Sequence, residues 1–351
     1  MKTKKPARLV DVARHARVST ATASRVLHNT GPVSEELRQK IQASVSTLEY
    51  APHRSRTSRH PGAIALLVED LLNPFFPEII RGVQDEVHLD GTVLTLYNSN
   101  DYPRHAEQLL QKMSKQSLDG IIITGSAPFP ELLAWCEKHH IPMVVLNRLV
   151  VQPGVHCIKV DFENAMYRAT QHLLSLGHTL FGHLASPGTG EIQTSRQRGI
   201  EHALKEAGLT LRPELCPIVS PGAEVEGGYQ AMRGLLDLPA EQRPTAVIAF
   251  NDIIAVGALH AVRAHGLNVP QDISIIGVDD ISIAAHVNPP LTTIGQPKYR
   301  MGKLAVQTLR QMRDGKMTIG SNCTLLESPL IVRESSGPAP HTDMPVHGLS
   351  L

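Results

Sequence analysis

Asn251 and Asp252 directly follow the apolar run 245–250, and Asp279 directly follows 274–278, so two separate strand-like segments aim polar groups at one region. A carboxylate such as Asp279 accepts two hydroxyl hydrogen bonds, and the Asn251 carboxamide both donates and accepts. Arg196, near the start of a helical run, can fork onto a hydroxyl pair, a carboxylate or a phosphate. This is chemistry for holding a small polar ligand. Asp252 and Asp280 read more simply as a helix cap and a turn residue. A different chemistry stands near the N-terminus. In the segment 19–28, Ala23, Val26 and Leu27 share one helical face, while Thr20, Ala21, Ser24, Arg25 and His28 share the other. Arg25 can pair bidentately with guanine O6 and N7, and Thr20 and Ala21 are small enough to admit a close backbone approach and a thymine methyl. The hydroxyls of Thr22 and Ser24 suit phosphate oxygens, which fix register without reading sequence.

The elements that must position these groups are legible in charge and periodicity. Residues 1–60 hold twelve Lys and Arg against four Asp and Glu, a net of +8. The whole 351-residue chain is +1, so the remainder carries −7. Such asymmetry predicts a small module for a polyanion attached to a larger, mildly acidic body. Short helices are expected over 9–15 and 19–27, with a third beginning at the cap Ser34. Charge and periodicity alone leave open a basic three-helix bundle that binds protein. Residues 51–62 lose apolar periodicity and gain Arg54, Arg56 and Arg59, which predicts a hinge.

From Ala63 onward strand and helix alternate, which predicts parallel, doubly wound sheets in two similar lobes, about 63–160 and 161–290, with later crossovers. Strands are expected to include 217–220 and 323–333, and helices 195–207 and 298–313. The expected organisation is an all-α headpiece (1–50), a hinge (51–62), a two-lobed α/β body (63–334) and a disordered tail (335–351). Ligands in such bodies bind at strand carboxyl ends, between the lobes.

Other classes fit less well. Gly188 and Gly190 are followed by Gln193 where a dinucleotide fingerprint needs its third Gly. No Walker-type Gly-Lys-Ser/Thr, Gly-x-Ser-x-Gly elbow or His-Glu-x-x-His occurs, so neither catalysis nor a metal is expected. The four cysteines are scattered without CxxC spacing and read as reduced packing residues. No apolar run approaches the ~20 residues of a membrane span, and no signal peptide is legible, which argues against a periplasmic solute receptor and predicts a cytoplasmic, nucleoid-associated protein.

These residues also carry a resemblance. Val18-Ser19-Thr20-Ala21-Thr22-Ala23-Ser24-Arg25-Val26-Leu27, with Leu9-Val10-Asp11-Val12-Ala13 before it and Leu48-Glu49-Tyr50-Ala51-Pro52 after it, resembles the lactose-repressor (LacI) family of transcriptional regulators. The likeness continues through Asn73-Pro74-Phe75-Phe76, Asp119-Gly120-Ile121-Ile122, Leu176-Gly177-His178, Phe250-Asn251-Asp252, Gly277-Val278-Asp279-Asp280 and Pro289-Pro290-Leu291-Thr292-Thr293. It implies a homodimer, sometimes a dimer of dimers, on a pseudo-palindromic operator in double-stranded DNA. A small-molecule effector, most often a sugar or sugar derivative, would control it, with no cofactor. By the same match Thr20, Ala21 and Arg25 are base readers and Thr22 and Ser24 phosphate contacts. Phe76 would stack on a ring or sugar face, and Asn147, Arg196, Asn251 and Asp279 are effector contacts. Arg17, Ala23 and His28 depart from the family's usual Gly, Val and Asn. The hinge is shorter than usual and lacks the Leu that wedges into the minor groove, which predicts weaker bending and more reliance on Arg54, Arg56 and Arg59.

Overall fold

The computed structural model describes residues 7, 9–28, 33–48, 62–98, 106–124, 130–186, 190–219, 224–317 and 323–340. The chain divides into two compact units, 1–61 and 62–351. The first contains α1 (Leu9–Ala16), α2 (Thr20–His28) and α3 (Glu35–Thr47). Val12, Ala16, Val26 and Ile41 form their shared core, and His15 Nδ1 lies 3.0 Å from the buried Ser44 Oγ to tie α1 to α3. Arg17 ends α1 with φ 55°, the left-handed conformation that Gly adopts without steric cost. Ser19 caps α2, its Oγ accepting from Thr22 N–H at 3.0 Å. Ser34 occupies the corresponding position before α3, but its side chain makes no capping bond.

The second unit is the two-lobed body. Its first lobe runs β1 (Ala63–Val68), α4 (Phe76–Val87), β2 (Val93–Asn98), α5 (Ala106–Ser114), β3 (Leu118–Thr124), α6 (Pro130–His139), β4 (Met143–Leu146) and β5 (Val155–Val160). The second runs α7 (Phe162–Ser175), β6 (Phe181–Leu184), α8 (Glu191–Glu206), α9 (Glu224–Leu236), β7 (Ala246–Ala249), α10 (Asp252–Ala264), β8 (Ser274–Asp279) and β9 (Thr292–Gly295). The chain then returns with α11 (Lys298–Arg313) and β10 (Cys323–Leu326) to the first lobe and with β11 (Leu330–Ile331) to the second. Strand order is β10-β5-β4-β3-β1-β2 in one sheet and β11-β9-β8-β7-β6 in the other. All pairs are parallel except β11 with β9. The nearly unbroken apolar runs of β1, β3, β4 and β7 follow from helices covering both sheet faces.

The returning helix α11 packs on α4 almost backbone to backbone. A Cβ on Gly82 would lie 2.2 Å from the Tyr299 carbonyl oxygen, and one on Gly302 would lie 2.2 Å from that of Ile79. Arg310 Nη1 secures the pair by donating to the buried Glu86 at 2.9 Å.

Several expectations need correction. Residues 335–340 are not a disordered tail. Ser335 is fully buried and exchanges bonds with Ile275, its N-terminal neighbour Ser274 accepts from Gly337 N–H, and Ala339 N–H donates to the Leu176 carbonyl. Proline and glycine content reports missing regular structure, not missing packing. Residues 341–351 lie outside the described residues. Of the expected strand 217–220, the described residues 217–219 make one bridge, Ile218 with Ala185, and Ser220 lies outside the described residues. The run 323–333 is two short strands in different sheets. Helix α8 begins one turn earlier than expected, which places Arg196 in its second turn. Cys323 is exposed rather than a packing residue.

Candidate DNA-contact helix and ligand cleft

Helix α2 divides as its periodicity requires. Ala23 and Val26 are buried, Thr20, Ala21 and Arg25 are exposed together, and Thr22 and Ser24 are half-buried at the flank. The Thr22 hydroxyl lies 2.8 Å from Ser19 Oγ, so any phosphate must compete with that bond. The His28 side chain, Arg54, Arg56 and Arg59 lie outside the described residues, as does the hinge up to Pro61.

In the body, the carboxyl ends of β4, β5, β7, β8 and β9 converge on one cleft. Asn147, just after β4, has φ 60° and donates from Nδ2 to Gln296 Oε1 at 2.8 Å. Gln296 Nε2 donates in turn to Asp279 Oδ1 at 2.6 Å, so a single carboxamide joins the two lobes. Asp279 itself has φ 118°, and Lys298 Nζ braces this turn by donating to the carbonyls of Asp279 (2.6 Å) and Asp280 (2.7 Å). The buried Arg196 guanidinium lies between the Phe162 and Phe250 rings, 4.2 and 4.1 Å from their centroids. Its Nη1 donates to the Phe250 carbonyl, and its Nη2 is 4.0 Å from Asp279 Oδ1. Among the described residues, five buried side-chain atoms have no hydrogen-bond partner: Asn147 Oδ1, Gln193 Oε1 and Arg196 Nε, and the ring nitrogens His156 Nδ1 and His183 Nε2. Buried polar atoms are nearly always paired, and the first three, on α8 and after β4, are open to the polar groups of a ligand.

A cavity of about 250 Å³ opens here, lined by Asn147, Lys159, Asp161, Phe162, Glu191 and Ser195 among others. A second, of about 470 Å³, includes Gln296, Glu78, Ser282, Tyr299 and Arg300 in its wall. Burial pushes the Asp279 carboxyl up while the Arg196 charge pulls it back. Burial also raises Asp252, and the neighbouring Asp279 charge adds to that rise. Burial lowers the Arg196 guanidinium to about 10, which leaves it a cation at neutral pH.

Of the residues singled out from sequence, Asn147, Arg196 and Asp279 come together. Phe76 is buried against Phe75, edge to face at 5.2 Å, and belongs to the main hydrophobic core; like Arg196 and Asp279 it lines neither cavity. Asp252 is not the cap expected of it, and that place is taken by Asn251. Asn251 caps α10 by accepting Ile254 N–H at 2.9 Å. Asp252 is instead a fully buried brace, bonded to Ile281 N–H (2.9 Å) and the Thr293 hydroxyl (2.5 Å). Sequence reading did not assign Phe162, Gln193 or Gln296. Gln296 directly follows β9 and Phe162 stands two residues past the end of β5, so the strand-end rule that selected Asp279 reaches them too.

A two-lobed α/β body with its cleft at the strand ends, joined in one chain to a helix-turn-helix unit, defines a ligand-responsive DNA-binding regulator. The comparisons agree. Residues 8–53 match the bacterial regulatory proteins of the lacI family, and residues 170–336 match a periplasmic binding protein-like domain. The HTH-type transcriptional repressor CytR of Escherichia coli K12 is 33% identical over 348 residues, covering 97% of this chain and 100% of that protein. The transcriptional regulator CelR in complex with cellobiose superposes with a TM-score of 0.71 at 28% identity, covering 94% of this chain and 100% of that one. A LacI family transcriptional regulator from Enterococcus faecium with bound ribose gives a TM-score of 0.69 at 28% identity, covering 79% and 99%. The chain belongs to the lacI family of bacterial regulatory proteins. It is a DNA-binding transcriptional regulator with a small-molecule effector domain, and not an enzyme. No helix among the described residues is long and apolar enough to cross a membrane.

Proposed function

We propose that this regulator is a repressor whose operator affinity is set by a neutral, hydroxyl-rich effector of sugar size held between the lobes. The carrying observation is the trio of unpaired buried atoms. Two acceptors, Asn147 Oδ1 and Gln193 Oε1, and one donor, Arg196 Nε, are the complement that sugar hydroxyls satisfy. Charge argues against a sugar acid. The 250 Å³ cavity is lined by two cations, Lys159 and Arg198, against three carboxylates, Asp161, Glu163 and Glu191, while Asp279 stands between Arg196 and Lys298, so a carboxylate would enter a net negative cavity. One face of both Phe162 and Phe250 is already covered by Arg196, which disfavours a stacked base. Asp279 and Arg196 then grip hydroxyls, while Asn251 and Phe76 support the site from the cap and the core. The sugar-bound relatives lend the reading weight.

On DNA, Thr20, Ala21 and Arg25 read bases, and Thr22, Ser24, His28, Arg54 and Arg56 serve flanking or backbone contacts in a cytoplasmic homodimer on a pseudo-palindrome. Without a hinge Leu to intercalate, the operator is bent only weakly, which a circular-permutation gel assay measures. The effector reading is tested by calorimetry with ribose, cellobiose, gluconate and nucleosides. Binding of a neutral sugar, lost in Arg196→Met, is expected; binding of gluconate or a nucleoside alone would overturn it.

A further inference from the structure

Glu191, the first residue of α8, extends its carboxylate across the cleft from the second lobe to the first. Its Oε1 receives Lys159 Nζ of β5 at 2.8 Å, and its Oε2 receives the backbone N–H of Leu149, just beyond β4, at 3.0 Å. Both carboxylate oxygens are thus held by the opposite lobe. Glu191 and Lys159 line the same 250 Å³ cavity as Asn147 and Phe162, so the contact stands in the wall of the ligand site. The pair is partly screened, with side chains 27% and 35% exposed, so it can break without exposing a buried core. Two further contacts join the lobes near this cleft, Asn147 to Gln296 and Lys298 at the start of α11 to the Asp279 and Asp280 carbonyls, and both are made by residues of the crossover itself.

We propose that Glu191 is a latch: its carboxylate holds the lobes together across the cleft mouth, and opening of the cleft to an effector requires its release. An effector then shifts the lobe equilibrium only by what it gains beyond this self-contact. The latch therefore sets how strongly an effector must bind before it can act. It also favours effectors that can reach the interior trio of unpaired atoms while leaving, or remaking, the Lys159–Glu191 pair.

The inference rests on the cleft being the effector site, yet its test needs no effector. Hydrogen–deuterium exchange on the full chain, with no sugar added, reads the Leu149 amide directly and the cavity-wall amides 160–164 as a report on lobe opening. In Glu191→Ala the Leu149 amide should exchange about tenfold faster, with a smaller rise, about threefold, along 160–164. Glu191→Gln, which keeps an acceptor for the Leu149 N–H but loses the charge, should lie between wild type and Glu191→Ala. Lys159→Met should raise exchange along 160–164 as Glu191→Gln does. Circular dichroism confirms that each variant is folded. Unchanged Leu149 exchange in Glu191→Ala, or faster exchange confined to Leu149 with 160–164 as in wild type, overturns the latch. Failure of neutral sugars in calorimetry would instead overturn the proposed effector class and leave the exchange result standing.

Discussion

Arg196→Met removes a buried cation and keeps an apolar chain of similar reach. In the native cleft the guanidinium stacks on Phe162 and Phe250, donates to the Phe250 carbonyl and faces Asp279 at 4.0 Å. Deleting one member of a buried pair costs about 3–5 kcal/mol, because the surviving charge is left unpaired. Two desolvated cation–π contacts add about 1–2 kcal/mol each, and the Met thioether recovers about 0.3–1.5 kcal/mol against the rings. Much of this loss depends on Asp279 being ionised. Burial lifts the Asp279 carboxyl to about 6 in the native protein, with Arg196 holding it lower than burial alone would. A carboxyl raised on folding lends stability that is fully present below its unfolded value and is lost as pH rises through its folded value. Without Arg196 the folded value climbs further, so the variant goes on losing stability above pH 6 where wild type does not. Relative to wild type, the expected loss is about 2 kcal/mol near pH 5, where Asp279 is protonated in both, and about 4 kcal/mol near pH 8. Urea unfolding of the full chain at the two pH values reads this difference. Equal losses at both would refute the charge-pair account and leave Arg196 as a packing residue.

Arg25→Ala should weaken binding to a selected operator by about 1–3 kcal/mol, roughly fivefold to 150-fold, in a fluorescence anisotropy titration, with sugar affinity unchanged; loss of both would mean Arg25 does not read bases. Arg17→Gly should relieve the left-handed residue after α1 and raise headpiece stability by about 1 kcal/mol, read from its thermal midpoint; no gain would show that Arg17 is held by contacts that offset the strain. Asp252→Asn mimics the protonated acid. Burial raises Asp252 to about 8, so the wild-type side chain lends stability at low pH that is lost as pH climbs toward 8. The Asn variant should lose that slope and be more stable than wild type by about 1–2 kcal/mol near pH 8; an unaltered slope would place the titration elsewhere.

The architecture was readable where one physical rule acts alone. Apolar runs flanked by helical periodicity gave both sheets, and the division of α2 into a buried and an exposed face followed from residue spacing. Rules that compete locally were not separable. Either Asn251 or Asp252 could cap α10, and only the position of Thr293 and of the Ile281 amide, 29 and more residues away in sequence, commits Asp252 to the interior. Ser34 stands in a capping position without making the bond, because position alone does not orient a hydroxyl. Phe76 has the residue type of a ligand platform but the environment of a core side chain. Gln296 carries no type signal, and it matters because the chain crosses between lobes at that point. The 335–340 segment misled because its bonds go to β8 and to the end of α7, partners that local composition does not contain.

The way the chain threads between the lobes bears on its synthesis. The first lobe lacks an edge strand and a covering helix until residues 298–326 have been made, long after β1 to β5 emerge. A nascent chain stopped after β9 therefore leaves β5 without its neighbour β10 and the glycine-notched face of α4 without α11. Domains generally fold as units during translation, but this lobe has to wait for nearly the whole message. Late interruption of the chain therefore spares the headpiece, a compact unit of its own, and leaves the first lobe of the sensor with an open sheet edge and an uncovered helix.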